Sequence, residues 1–289
     1  MNNIQKNDLG PHPDFPDCRV RFDEKSGFYR TFPYPSEVSL EKFYTKEYRE
    51  IRKEEPDEAY VAFMRHRAKA QKDFIIKHNA GRKFEKALDI GCGCGELLNA
   101  LQPHAKFLVG YETDSMMASH ALNHKRSESI EISNSHFVSE NKLPENDLIV
   151  MSHVFEHIPN PVRFLSELRC RVMAPGGVLF LEVPNETDEW VKKQIKWGVR
   201  GLGHVNYFSP KSLEQILTAA GFEGVSSSVC GMSVKKHMSL RRPRNRVVRK
   251  LRKYCSKMRK PKSALPDYLV RPKNEKRIYI QTIAVNPYS

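Results

Sequence analysis

Residues 87–98 read Ala-Leu-Asp-Ile-Gly-Cys-Gly-Cys-Gly-Glu-Leu-Leu, an apolar run that ends at Asp89 and Ile90 and is followed by glycine at 91, 93 and 95. Alternating glycines let the backbone turn sharply and lie against a ligand, and the start of the helix expected next offers unpaired amides. A flat or polar ligand end can rest directly on such a loop. A dinucleotide fingerprint needs glycine at the sixth position of GxGxxG, where Glu96 stands, so NAD and FAD are disfavoured. Glu112 closes the next apolar run, roughly twenty residues after the loop, the interval at which a carboxylate can accept hydrogen bonds from both hydroxyls of a ribose. The pattern is that of a nucleoside site.

A second group of residues suits proton transfer. Ser152, His153, Glu156 and His157 crowd into one stretch, and His204 lies in Gly-His-Val-Asn-Tyr-Phe-Ser-Pro at 203–210. A neutral imidazole near physiological pH can take a proton from a hydroxyl. His153 and His157 suit equally well the plainer task of orienting their loop through backbone groups. His204 is the candidate to reach in from the acceptor side, whereas Tyr207 and Phe208, just before a helix cap, read as packing residues.

These residues need a scaffold that brings them to one edge. From Gly81 onward short apolar strands alternate with amphipathic helices, which predicts an α/β, doubly wound, mostly parallel seven-stranded sheet covered on both faces. The strands are expected at 86–90, 107–111, 135–138, 147–152, 178–183, 224–230 and 277–285. Ligands of such sheets bind beyond the carboxyl ends of the strands, where the glycine loop, the 152–157 loop and Asn185 all fall. Asn160-Pro161 and Ser209-Pro210 read as helix starts, Pro175-Gly176-Gly177 and Gly221 as helix ends. Residues 1–37 read as irregular because prolines recur, and two helices, one from near Ser39 and one over 56–78, form a cap. The expected divisions are 1–80 (irregular segment and helical cap), 81–235 (main domain), 236–276 (basic insertion) and 277–289 (final strand).

Taken in order, LDIGCGCGELL, the strand-end Glu112, SHVFEHIPNP at 152–161, PGGVLFLEVPN at 175–185 and GHVNYFSP at 203–210 resemble the class I S-adenosylmethionine-dependent methyltransferases. The resemblance is to the bacterial group associated with sugar and cell-surface polysaccharide modification, and it spans residues 84–229. It implies a Rossmann-like fold and S-adenosylmethionine as the methyl donor. It also implies that Asp89, Gly91, Cys92, Gly93 and Gly95 surround the methionine portion, and that Glu112, with Thr113, holds the ribose. Glu140 or Asn141 is expected at the adenine, and Ser152 and His153 beside the donor. Methyl transfer from a sulfonium is an in-line displacement, so the protein aligns donor and acceptor and removes a proton, with His204, His157 and His153 as candidates. Sugar C-methyltransferases of this neighbourhood begin with a four-cysteine zinc module, of which Cys18 alone remains here. No metal is expected, and transfer to oxygen is favoured over carbon. The expected acceptor is a sugar hydroxyl of a nucleotide sugar or cell-surface glycan or glycolipid. The alternatives are another small molecule or lipid, and a non-catalytic nucleoside-binding regulator or scaffold.

Composition sets the remaining bounds. The 289 residues carry a formal net charge of +14, and residues 241–262 hold twelve Lys/Arg and no acid. Apolar positions Val247, Leu251, Tyr254 and Met258 recur there at helical spacing, a basic amphipathic helix that suits an anionic membrane surface or packs on the domain. Nucleic acid is disfavoured, since no reading module accompanies the charge. Six cysteines without a CxxC pair suggest reduced thiols, and no apolar run reaches membrane-spanning length. A cytoplasmic protein, with the inner membrane face as a peripheral address, is expected.

Overall fold

The computed structural model describes residues 7–48, 51, 55–138, 145–200, 202–231 and 279–287. The basic stretch at 241–262 and both adenine candidates, Glu140 and Asn141, lie outside the described residues. The chain opens with strands β1 (Asp8–Pro11), β2 (Arg19–Asp23) and β3 (Phe28–Phe32), helix α1 (Glu37–Lys42), a π-helical turn (Phe43–Glu47) and the long helix α2 (Glu58–His78). Then follow β4 (Phe84–Ile90), α3 (Glu96–Leu101), β5 (Ala105–Tyr111), α4 (Ser115–Asn123), β6 (Ile130–Ser133) and β7 (Asn146–Ser152). The last third comprises α5 (Pro161–Arg171), β8 (Met173–Pro184), α6 (Asp188–Lys196), β9 (Asn206–Tyr207), α7 (Pro210–Ala219), β10 (Glu223–Cys230) and β11 (Tyr279–Val285).

The main sheet has seven strands in the order β10-β11-β8-β7-β4-β5-β6. Neighbours from β8 to β6 pair in parallel, and β11 runs antiparallel between β8 and β10. From β4 the chain winds outward through β5 and β6, then returns to β7 on the other side of β4. That reversal opens a crevice at the carboxyl ends of β4 and β7, the place where doubly wound sheets take ligands.

Both sheet faces are covered, which is why its central strands read as unbroken apolar runs. Leu88, Ile149, Met151, Leu179 and Leu181 pack with Leu165 and Leu168 of α5 and Leu213 and Leu217 of α7. On the other face Ala87, Leu148, Val150 and Phe180 meet Ala68 and Ile75 of α2 and Leu97 and Leu98 of α3. Each fully buried leucine contributes about 2 kcal/mol, so this core fixes the strand ends firmly. Ser209 starts α7 with a capping box, and Gly221 follows its end at φ +85°. Pro161 stands at the first position of α5, but Asn160 makes no side-chain cap; it adopts a left-handed conformation, φ 52°, instead.

Three further expectations are corrected. The first 37 residues are not irregular throughout: β1, β2 and β3 join β9 in a four-stranded antiparallel sheet. Pro11 ends an edge strand and Pro33 follows β3, positions where no ladder donor is lost. The strand expected at 135–138 lies at Ile130–Ser133, where Ile130 pairs with Leu108. Phe137 is buried all the same, against the Tyr111 ring at 5.4 Å, so it gave a strand-like pattern from within a loop. Finally, β8 starts at Met173 and runs through Pro175-Gly176-Gly177, where its pairing with β7 shifts register.

Candidate functional site

The glycine loop joins β4 to α3 and is held from β5. The amides of Gly91 and Cys92 both donate to the Tyr111 carbonyl, at 2.8 and 3.0 Å. Gly93 N donates to Glu112 Oε2 and Asp114 N to Glu112 Oε1, each at 2.8 Å. A carboxylate oxygen has two acceptor positions, so Glu112 retains capacity for hydroxyls while it fixes the loop. Burial raises its pKa, an effect its amide donors partly offset. Gly93 sits at φ +54° with nothing within 4 Å of a built Cβ, so the loop there faces open space. Gly91, in contrast, would place a Cβ 2.4 Å from Val154 Cγ2.

At the end of β4, Asp89 is 2% exposed, and its Oδ1 has no hydrogen-bond partner among the described residues. Burial, and then the charge of Glu112, push its pKa up to about 7. A buried carboxyl of this kind is stabilised by a cation. The methionine end of S-adenosylmethionine carries an ammonium and a sulfonium, so Asp89, the open face at Gly93 and Glu112 fit that cofactor in charge and in space.

The histidines gather beyond β7. Glu156 is fully buried at their centre, with Oε1 3.4 Å from His153 Nδ1, 4.0 Å from His157 Nε2 and 3.9 Å from His204 Nε2. Burial raises its pKa to about 7, against the pull of His204 and Arg67. His157 Nδ1 stands 2.8 Å from the Tyr44 hydroxyl and 3.2 Å from the Gly203 carbonyl. His204 Nδ1 stands 3.3 Å from Oε1 of Glu186, itself buried just after β8.

The small antiparallel sheet roofs this cluster. His12 Nδ1 accepts from the amides of Asp14 and Phe15, so its proton is on Nε2, which donates to the His204 carbonyl at 2.9 Å. Thr31 N donates to Val205 O, and Val205 N to Glu156 O. The 203–207 segment is thus clamped between the N-terminal strands and the β7 loop. Asp14 also accepts from Gly203 N at 3.0 Å.

A third network ties α2 to the sheet. Arg67 Nε donates to Glu182 Oε1 at 2.7 Å, and Gln281 Nε2 to Glu182 Oε2 at 2.6 Å. Arg67 and Gln71 both donate to the Ser152 hydroxyl oxygen, so what Ser152 has to offer a ligand is its own O–H. His153, at φ +57°, donates its amide to Glu182 O and sets its ring edge-on to Tyr279 at 4.9 Å.

The structure therefore brings Asp89, Gly91, Gly93, Gly95, Glu112, Ser152 and His153 to one sheet edge, with His157 and His204 adjoining. Thr113 is exposed beside Glu112. Cys92 differs: its side chain turns into the core against Gly110, leaving only backbone for a ligand. Sequence reasoning missed Glu186, Tyr44, His12 and Asp14. Glu186 directly follows Asn185, and that adjacency was the one available signal; His12 and Asp14 arrive through the unforeseen N-terminal sheet, and Tyr44 through the turn that follows α1.

A family model described as "Methyltransferase domain" matches residues 60–227. Among curated proteins, a ubiquinone biosynthesis O-methyltransferase of Coxiella burnetii is 26% identical over 113 residues, 38% of this chain and 48% of that enzyme. One from Maricaulis maris is 28% identical over 174 residues, 54% of this chain and 66% of that enzyme. The chain spans about half the length of the first of these relatives. Among solved structures, the YcgJ protein from Bacillus subtilis superposes with a TM-score of 0.51 at 15% identity, covering 76% of this chain and 99% of that one, a likeness of fold. With the family model spanning more than half of its length, the chain belongs to the methyltransferase-domain family, on the fold of the class I S-adenosylmethionine-dependent methyltransferases.

Proposed function

We propose that the protein is an S-adenosylmethionine-dependent O-methyltransferase acting on a sugar hydroxyl of a nucleotide sugar or a cell-surface glycan or glycolipid intermediate. The observation that carries the reading is the pairing of an open glycine loop at the end of β4 with a buried carboxylate–imidazole cluster at the adjacent end of β7. When bound, S-adenosylmethionine supplies an electrophilic methyl group on a sulfonium. Asp89 and Glu112 hold its charged and ribose parts, and Glu112 keeps the loop in shape. His204, oriented by Glu186 and by the bond from His12 to its carbonyl, faces the acceptor hydroxyl, whose proton must leave as the O–C bond forms. The N-terminal strands cover this half of the crevice, and His204 beneath them is 4% exposed.

A phenolic hydroxyl of a lipid quinone precursor is the second reading, favoured by the ubiquinone biosynthesis O-methyltransferases among the relatives. Incubation with methyl-labelled donor, in parallel with an envelope glycan fraction and with polyprenylated phenols, separates the two. Label in sugar is expected. Label in the phenols alone supports the second reading, and label in neither, from folded protein that binds the donor, overturns both.

A further inference from the structure

We propose that Glu156, His157 and His204 bind a divalent transition-metal ion, with Glu186 and the Gly203 carbonyl fixing the two imidazoles. The use of the ion rests on the O-methyl-transfer reading above; its binding does not. One carboxylate oxygen and one nitrogen from each histidine all lie within 4.8 Å of one another. Ligands that are each about 2.1 Å from a common ion stand roughly 3–4 Å apart, so the spacings of 3.9 and 4.0 Å from Glu156 Oε1 need only a small inward turn to close.

Proton placement supplies a second, independent argument. The tautomer of His157 with its proton on Nδ1 gives that proton to the Gly203 carbonyl, which can only accept, with the Tyr44 oxygen alongside at 2.8 Å, and it leaves Nε2 with a lone pair toward Glu156. The Glu186 carboxylate does the same for His204. Carboxylate–histidine–metal ligation has this form, the outer oxygen fixing the tautomer of the inner ligand. Two lone pairs converging on a carboxylate oxygen repel one another unless a cation lies between. Glu156 is 0% exposed, and neither of its oxygens has a hydrogen-bond partner among the described residues.

The donor set selects the class of ion. Two imidazoles and one carboxylate suit zinc, manganese or ferrous iron rather than calcium or magnesium, which take oxygen sets. The expectation of no metal came from the absent four-cysteine module; this set contains no cysteine and draws on two distant loops. Its remaining coordination positions are available to oxygens of the acceptor, and a hydroxyl bound there loses its proton more readily. His204 then serves as a ligand rather than as the base itself.

The test uses the full chain, stripped with a chelator, dialysed and titrated without S-adenosylmethionine. Calorimetry with Mn²⁺ and Zn²⁺, and the visible spectrum of added Co²⁺, are expected to show one ion per chain with imidazole ligation. Glu156→Gln and His204→Gln should each weaken binding about 100-fold or more, and Glu186→Gln about 10–100-fold, with circular dichroism unchanged. A folded wild type that takes up none of the three ions at about 1 mM, or affinities indifferent to both ligand substitutions, overturns the site. Methyl transfer that survives chelation overturns the ion's role in catalysis. A protein that binds the ion but not S-adenosylmethionine overturns the methyl-transfer reading and leaves the site standing.

Discussion

Gly93 N donates to Glu112 Oε2 at 2.8 Å, so the residue expected to hold the ribose also holds the loop beneath it. Glu112→Ala removes both functions, and S-adenosylmethionine affinity should fall by about 1–3 kcal/mol, measured by calorimetry. Glu112→Gln retains an acceptor for one of the two amides and should fall between the alanine variant and wild type. Equal affinity in all three proteins would move the ribose contact elsewhere.

Gly93→Arg separates fold from binding. Nothing stands within 4 Å of a Cβ there, so the cost to stability is the left-handed backbone alone, about 1 kcal/mol, while the side chain fills the space over the loop. Binding should vanish with only a small loss in melting temperature. Gly91→Ala should do the reverse and damage folding first, because its Cβ meets Val154 at 2.4 Å. A Gly93→Arg protein that still binds the donor would place the cofactor off this loop.

Asp89 makes both stability and donor binding depend on pH. Between the ordinary carboxylate pKa near 4 and the folded value of about 7, the native state keeps a proton that the unfolded chain has released. Stability without ligand therefore falls as pH rises through that window, by up to about 4 kcal/mol from this group. Asp89→Asn should flatten that part of the denaturation profile. A cationic ligand favours the ionised form, so donor affinity in the wild type should increase from pH 6 to 8 with release of a proton. Calorimetry in buffers of different ionisation enthalpy counts that proton, and a count of zero would contradict the assignment.

His204→Ala should lower turnover while donor affinity stays within about twofold, because the residue serves the acceptor side. Glu186→Gln should lower turnover less, since the amide oxygen can still accept from His204 Nδ1. Collapse of donor binding in either variant would refute the placement.

Much of the cofactor half was legible in the sequence because it is local: strand, glycine loop and helix are contiguous from Phe84 to Leu101, and Glu112 closes the next strand. The start of α7 was legible for the same reason, Ser209-Pro210 being a cap that acts over one turn. The acceptor half was not. Its walls come from β1–β3, read as irregular because prolines mark them, and from β9, two residues too short to leave a periodic signal. Glu156 was placed near the donor from its position, but its complete burial, and its encirclement by three imidazoles, depend on tertiary packing that residue spacing does not encode.

The pairing of β11 has a consequence for which half of the crevice feels changes at the far edge of the sheet. Cys230, at the end of β10, lies opposite Tyr279, at the start of β11, and Tyr279 lies opposite Pro184 at the carboxyl end of β8. The chain thus leaves the sheet and rejoins it at the rim of the crevice, on the flank away from the glycine loop, and Tyr279 stacks edge-on to His153 where it returns. The ends of the intervening segment are therefore anchored beside Pro184 and His153 and not at the loop of Gly91, Gly93 and Gly95. A change that loosens the pairing of Cys230 with Tyr279 should accordingly reach the His153 ring before it reaches the contact of Gly93 with Glu112 on the other side of β7.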